Sequence, residues 1–269
     1  MRVVVRSASV WGPGLPGWAH SVAVLRDPDL WEGEVVAPPV ATALPANERR
    51  RAGPVTRLAL AVAQEACALA QIEPSDISAV FSSSNGDGAV IDTILHALCT
   101  PGEDVSPIQF HNSVHNAPAG YWTISHGSIA AATALSGFDW SFGQGLLKAA
   151  AEAVAEARPV LLAAYDLPIP GPIGTVRITQ EAFACALVLD PDPDASGLAT
   201  LRITYDPTSS EGDEPENEAF RKLARGNPAA RGLPLLSALA RQGAYRVRTE
   251  GLNGPLTIEV SPCLNAPQS

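Results

Sequence analysis

Ile77-Ser78-Ala79-Val80-Phe81-Ser82-Ser83-Ser84-Asn85-Gly86-Asp87-Gly88, with Val90 to Leu98 after it, is the stretch on which the fold turns. Ile77 to Ser83 is a short apolar run of the kind that forms a buried strand. Ser84 to Gly88 are turn formers, and Val90 to Leu98 then takes up helical spacing. Strand, glycine turn and helix in succession is the building unit of an α/β protein. Phosphate-binding loops occur at such turns. This one matches neither G-x-G-x-x-G nor G-x-x-x-x-G-K-[ST], so an ordinary turn at the carboxyl edge of a sheet is the reading.

The same alternation extends outward. Arg2 to Val10 is rich in valine, alternates poorly and reads as a buried strand. Residues 11–55 hold many prolines and tryptophans without a period, and read as a surface excursion with short elements. Within it, Asn47 to Arg51 is a basic run, read as a solvated helix start. Val55 to Gln71 is a helix with Leu58, Val62, Ala66 and Leu69 on one face. Asn116 to His126 is a second helix, and Ala130 to Leu135 an alanine-rich strand. Trp140 to Ala157 is a third, with Leu146, Leu147, Ala150 and Val154 on one face. Pro159 to Tyr165 and Gln180 to Asp190 are buried strands. Residues 1–190 therefore form one sheet covered on both faces.

Residues 191–269 differ from this pattern. Leu198 to Tyr205, Tyr245 to Thr249 and Leu256 to Val260 read as strands, the last two paired across Gly251-Leu252-Asn253-Gly254. Between them lie an acidic loop, Glu211 to Glu218, read as solvated, and a helix near Leu233 to Arg241. Pro234 falls in the first turn of that helix, where it is tolerated.

Composition narrows the function classes. The chain has 269 residues, 46% of them hydrophobic, and a net charge of -10. A chain of this size buries roughly three quarters of its unfolded surface and needs no staples. Its 22 glycines and 24 prolines stay below the low-complexity range. The four cysteines, at 67, 99, 185 and 263, form no C-x-x-C pair, so neither a zinc ribbon nor a disulfide framework is indicated. No metal or cofactor is called for. The acidic balance argues against nucleic acid, whose affinity comes from neutralised phosphates. No apolar run approaches the ~18 residues of a membrane span. Met1 to Arg6 is strand-like and lacks a signal peptide's apolar core, so a cytoplasmic protein is expected.

The densest polar cluster is Phe110-His111-Asn112-Ser113-Val114-His115-Asn116. Two readings stay open. Ser113 and His115 share a side if the segment is extended and could serve a hydrolase or acyltransferase. Alternatively, Asn112, Ser113, His115 and Asn116 form a buried polar network at a helix start, with Asn116 as N-cap and Pro118 in the first turn.

Asn112 to Gly120 resembles the Asn-x-x-x-Asn-x-x-x-Gly segment of the β-ketoacyl synthases. Ser106-Pro107-Ile108-Gln109-Phe110 is similar to what precedes it there, and Gln180 to Asp190 to the family's Gly-Glu-Gly-Ala-x-x-x-x-Leu-Glu strand. The match covers residues 1–190. The run Asn227 to Leu236 is similar to the short synthase-like subunits of aryl-polyene (xanthomonadin-type) clusters, described as chain-length factors. The resemblance implies a thiolase-like α/β fold, a mixed sheet covered by helices, with a complete first half and a reduced second half. By family resemblance, the length marks a missing catalytic half.

The departures carry the functional reading. Counted from Gly120, the family's nucleophilic cysteine falls near 139, where this chain has Phe138-Asp139-Trp140 and no cysteine between 99 and 185. Gly145 and Ala149 then stand where the family has small residues. Such a cysteine is activated by a helix N-terminus. Asp139 there is stabilised by the same dipole but cannot carry a thioester, and reads plainly as an N-cap. The family also uses two late histidines to stabilise enolate charge, and the five histidines here, at 20, 96, 111, 115 and 126, end at His126.

The resemblance thus implies a non-catalytic subunit that pairs with an active ketosynthase in polyketide, aryl-polyene or fatty-acid-like synthesis. Ala131, Ala132, Thr133, Ala134 and Leu135 would be the dimer-edge strand, since an unpaired apolar edge needs a partner. Phe138, Trp140 and Phe142 would plug the acyl tunnel. Acyl carrier protein would dock mainly on the active partner rather than on Arg49 to Arg51. Two alternatives remain: a hydrolase or acyltransferase using Ser113 with His115 or Asp139 with His126, and a homodimeric acyl-binding scaffold.

Overall fold

The computed structural model describes residues 1–205, 212–251 and 254–263. Its strands are β1 (Arg2–Gly12), β2 (Leu15–Pro16), β3 (Ser78–Ser82), β4 (Ala132–Leu135), β5 (Val160–Asp166), β6 (Phe183–Asp190), β7 (Ala199–Tyr205), β8 (Tyr245–Thr249) and β9 (Leu256–Pro262). The helices are α1 (Trp18–Arg26), α2 (Ala46–Arg51), α3 (Pro54–Ala70), α4 (Gly88–Cys99), α5 (Pro107–Asn112), α6 (Ala117–His126), α7 (Ser141–Glu156), α8 (Gly171–Val176), α9 (Glu218–Gly226) and α10 (Leu233–Arg241).

Among the described residues, all nine strands belong to one mixed sheet, ordered β4-β3-β5-β6-β1-β7-β9-β8, with β2 paired to β1. β4, β3 and β5 run parallel, and every other pair is antiparallel. Period-two side-chain alternation sends Leu161, Ala163 and Tyr165 of β5 to one face, against α3 and α6, and Val160, Leu162 and Ala164 to the other, against α7. The poor alternation of β1 has a physical cause. A register shift between Val5 and Ser7 exchanges the faces. Val3 and Val5, then Ala8 and Val10, all reach the core on the α7 side. Ser7 and Ser9 turn to α3, where Ser7 donates to the Ala66 carbonyl at 2.6 Å and Ser9 to the Glu65 carboxylate at 2.5 Å.

β7 hydrogen-bonds to β1 and extends the sheet into β9 and β8. There Leu201, Ile203, Val247, Ile258 and Val260 face α9 and α10, while Arg202, Arg246 and Glu259 stand exposed on the opposite side. The segment between residues 11 and 55 is more ordered than its composition suggests, since it contains α1, whose Trp18 and Leu25 enter the core.

Helix faces depart from expectation at their ends. Leu58, Val62 and Ala66 are buried in α3, but Leu69 is exposed and Ala70 takes its place. In α7, Leu146 and Ala150 are buried, Leu147 is half-buried and Val154 exposed. The helix begins at Ser141, one residue later than its spacing predicts. Gly145 allows the close approach of α7 to the sheet, since a Cβ there would meet Ser82 Cβ at 2.8 Å. The acidic loop is not merely solvated: Glu214 pairs with Arg225 of α9, a helix the spacing did not reveal, and Asp213 with Arg248. Glu211, Leu252 and Asn253 lie outside the described residues.

Candidate functional site

The carboxyl ends of β3, β4 and β5 converge on one polar centre. At the end of β5, Asp166 is fully buried. Its Oδ1 accepts from Ser83 Oγ at 2.9 Å and from the backbone N–H groups of Ser84 at 3.0 Å and Asn85 at 3.2 Å. Burial pushes this carboxyl up to about 7, against the opposing pull of those hydrogen bonds and of Arg177. The glycine turn is therefore a carboxylate cradle, and the carboxylate is the chain's own. Gly86 has a left-handed φ of 61° there. Asn227, also fully buried, donates to the Asp166 carbonyl at 2.9 Å and the Glu181 carbonyl at 2.7 Å, tying the later segment to this centre.

Between β4 and α7 the backbone turns sharply at Phe138, a non-glycine residue with φ 56°. Asp139 follows in a short 3₁₀ turn over Phe138–Trp140. It does not cap α7, because no side-chain capping bond is made and Trp140 holds the cap position. Two arginines take the carboxylate instead. Arg177 lies 2.5 Å from Oδ1, and Arg231 lies 3.5 Å from Oδ2. Arg177 also donates to Asn85 Oδ1 at 3.0 Å and Ser84 Oγ at 2.5 Å, and its guanidinium sits 3.9 Å above the centre of the Phe138 ring. Arg231 further pairs with Glu250. The geometry is an ionic clamp over the β4–α7 turn, with an aromatic ring stacked beneath it.

The sequence-predicted polar residues are separated. His115 Nε2 contacts the Ser83 carbonyl at 3.0 Å, which joins it to the centre. Ser113 donates to the Phe110 carbonyl at 2.8 Å, so it has no hydrogen bond to His115. His126 Nδ1 lies 3.1 Å from the Trp122 carbonyl, while Asp139 is held by the arginines, so that second pair is not formed either. Burial lowers the His126 pKa. Asn112 donates to the Arg51 carbonyl at 2.6 Å. Asn116 occupies the N-cap position of α6, but its side chain makes no capping bond. Phe138 and Trp140 pair at 6.4 Å near the surface, whereas Phe142 is buried with Leu146 in the core and packs against Gly232.

Sequence reading missed Arg177, Asp166 and Asn227 as parts of this centre. Arg231 lay inside the Asn227–Leu236 run but carried no sign of its partner. No thiol is poised here: Cys67 and Cys185 are buried and pushed up to about 12, and Cys99 stands on the surface at the end of α4. Among the described residues no group of histidine, cysteine and carboxylate side chains could hold a metal.

The family model of the β-ketoacyl synthase N-terminal domain matches residues 23–244. The chain belongs to the β-ketoacyl synthase family. Its thiolase-like α/β fold is shared with several solved assemblies of this family. One is the ketosynthase (ApeO) in complex with its chain length factor (ApeC) from Xenorhabdus doucetiae, at 21% identity and TM-score 0.71, covering 96% of this chain and 99% of that one. Another is the ishigamide ketosynthase/chain length factor, at 14% identity and TM-score 0.68, covering 97% and 99%. A third is AntDE:AntF, a type II acyl-carrier protein in complex with its ketosynthase, at 13% identity and TM-score 0.72, covering 97% and 99%. None of the curated proteins matches the β-ketoacyl synthase-like chain in sequence. Among its described residues no helix is long and apolar enough to cross a membrane.

Proposed function

We propose that this chain is a non-catalytic chain-length factor that pairs with an active ketosynthase. The carrying observation is the β4–α7 turn, where Asp139 is locked between Arg177 and Arg231; by the spacing from Gly120 this is where the family's nucleophilic thiol is expected. A carboxylate already neutralised by two guanidinium groups is a poor nucleophile and cannot form the thioester of a condensing enzyme. No histidine follows residue 126 to supply the enolate-stabilising donors. Phe138, half exposed above this turn, and Trp140 beside it are the side chains that would meet a growing acyl chain.

The pairing surface follows from the sheet edge. β4 has β3 on one side and no strand on the other among the described residues. Ile124 of α6, which packs on β4, is exposed, as are Leu95 and Leu98 of α4 and Ile108 and Phe110 of α5, two helices that pack on each other. An unpaired edge flanked by apolar helices is a surface that a partner must cover. An aryl-polyene product fits the Asn227–Leu236 resemblance.

Co-expression with the ketosynthase encoded beside it tests this reading. A stable heterodimer is expected, with product length changed by Phe138→Ala. A stable monomer, with the synthase unaltered in its absence, overturns it. A homodimer with esterase activity abolished by Ser113→Ala supports the alternatives instead.

A further inference from the structure

We propose that the groove beneath residues 36–42 binds a single-chain amphiphile with an anionic head, a fatty carboxylate of medium length. This goes beyond the pairing reading and does not depend on it. Residues 36–41 form no helix or strand, and Pro38-Pro39 stiffens them into an extended strap. The strap is held off the body at both ends. Trp11 Nε1 donates to the Ala37 carbonyl at 3.1 Å, and Gln64 Oε1 accepts from Thr42 Oγ1 at 3.2 Å and Ala43 N at 3.3 Å.

Two cavities lie under it, of about 430 Å³ and about 370 Å³. Trp11, Pro39 and Val40 line both, so they meet beneath the strap. Each falls within the ~300–1,000 Å³ span of small-molecule sites. The larger is walled by apolar groups, Leu58 and Leu167 among them, and its only charged lining residues are Arg49 and Arg57. Neither arginine has a carboxylate within ion-pair distance among the described residues, although ten others in this acidic chain do. Arg49 Nε is buried and lacks a hydrogen-bond partner. An unpaired buried donor is costly, and an anionic head at this mouth relieves it. Arg49 donates through Nη2 to the Leu44 carbonyl at 2.9 Å, which leaves Nε free, and apolar walls with two guanidinium groups that lack a carboxylate partner fit a hydrocarbon tail with a carboxylate. A neutral or cationic ligand would leave that cost in place.

Isothermal titration calorimetry of the full chain with monomeric dodecanoate, dodecanol and dodecyltrimethylammonium tests the assignment. Dodecanoate is expected to bind at one site roughly tenfold tighter than dodecanol, as a charge-assisted contact predicts, and the cation not at all. Arg57→Gln, a change at an exposed residue, and the double variant Arg49→Gln, Arg57→Gln should bring the two affinities together. Val40→Trp, which fills the junction of the cavities, should abolish both. Equal affinities in the unaltered chain overturn the proposal. So does undiminished binding in Val40→Trp, which would place the tail on the apolar α4 face, and so does an absence of heat up to the micellar limit of dodecanoate.

Discussion

Two helices of comparable apolarity end in opposite surroundings. α3 buries eleven of its seventeen residues between the sheet and the strap. α4 spans twelve residues, among them Val90, Ile91, Ile94, Leu95 and Leu98, and buries only Gly88 and Ala97. Hydrophobic spacing specifies that a face will be covered, but not by which molecule. α3 finds its cover within the chain. α4 packs on α5 and α8 and leaves Leu95 and Leu98 open. The pairing proposed above would give that exposed face a use.

The sharpest way to break this comparison is to truncate both helices. Leu60→Ala in α3 removes a fully buried side chain and is expected to cost about 2–5 kcal/mol in chemical denaturation. Leu98→Ala in α4, at 68% exposure, should stay within about 0.5 kcal/mol for the isolated chain. Equal costs would mean that α4 is an internal helix.

A second test addresses the buried centre at the end of β5. Asp166 is pushed from 3.8 up to about 7, so in the folded state it holds a proton that the unfolded chain has already released between those values. Stability from this group is present below the lower value, declines as pH rises through the window, and is lost above about 7. Asp166→Asn should flatten that decline in denaturation series across pH. An unchanged slope would show that the carboxyl stays ionised.

The outward face is probed by Leu98→Asp with Phe110→Asp. Co-purification with the synthase should weaken roughly tenfold or more, as for central interface contacts, while the melting of the isolated chain hardly moves. Full retention would remove α4 and α5 from the interface. A small effect is also expected at the clamp: Asp139→Asn weakens a partly exposed ion pair and should cost about 1 kcal/mol or less. A much larger loss would make the clamp a structural keystone.

The α/β class was legible because Ile77–Gly88 and its repeats obey local rules of period and turn chemistry. Register and partnership were not. β1 hid its alternation behind one bulge, which no periodicity count registers. Asp139 read as a helix cap because caps are local, whereas its partners at 177 and 231 are brought in by the sheet. Asp166 looked like the end of a strand, and only burial makes it a proton-holding group. Ser113 and His115, adjacent in sequence, went to different backbone carbonyls, since a catalytic pair depends on spatial geometry that proximity along the chain does not provide.

The place of β1 at the centre of the sheet has a consequence for how the chain is made. Apart from the two-residue β2, its neighbours are β6 and β7, and the terminal ammonium group donates to the Ile203 carbonyl, 202 residues away. At a synthesis rate of ~5–20 residues per second, the valine-rich first strand waits roughly ten seconds or more for its partners to leave the ribosome. β1 is thus made long before the strands that pair with it, and during that interval its open edges are an aggregation liability of the nascent chain.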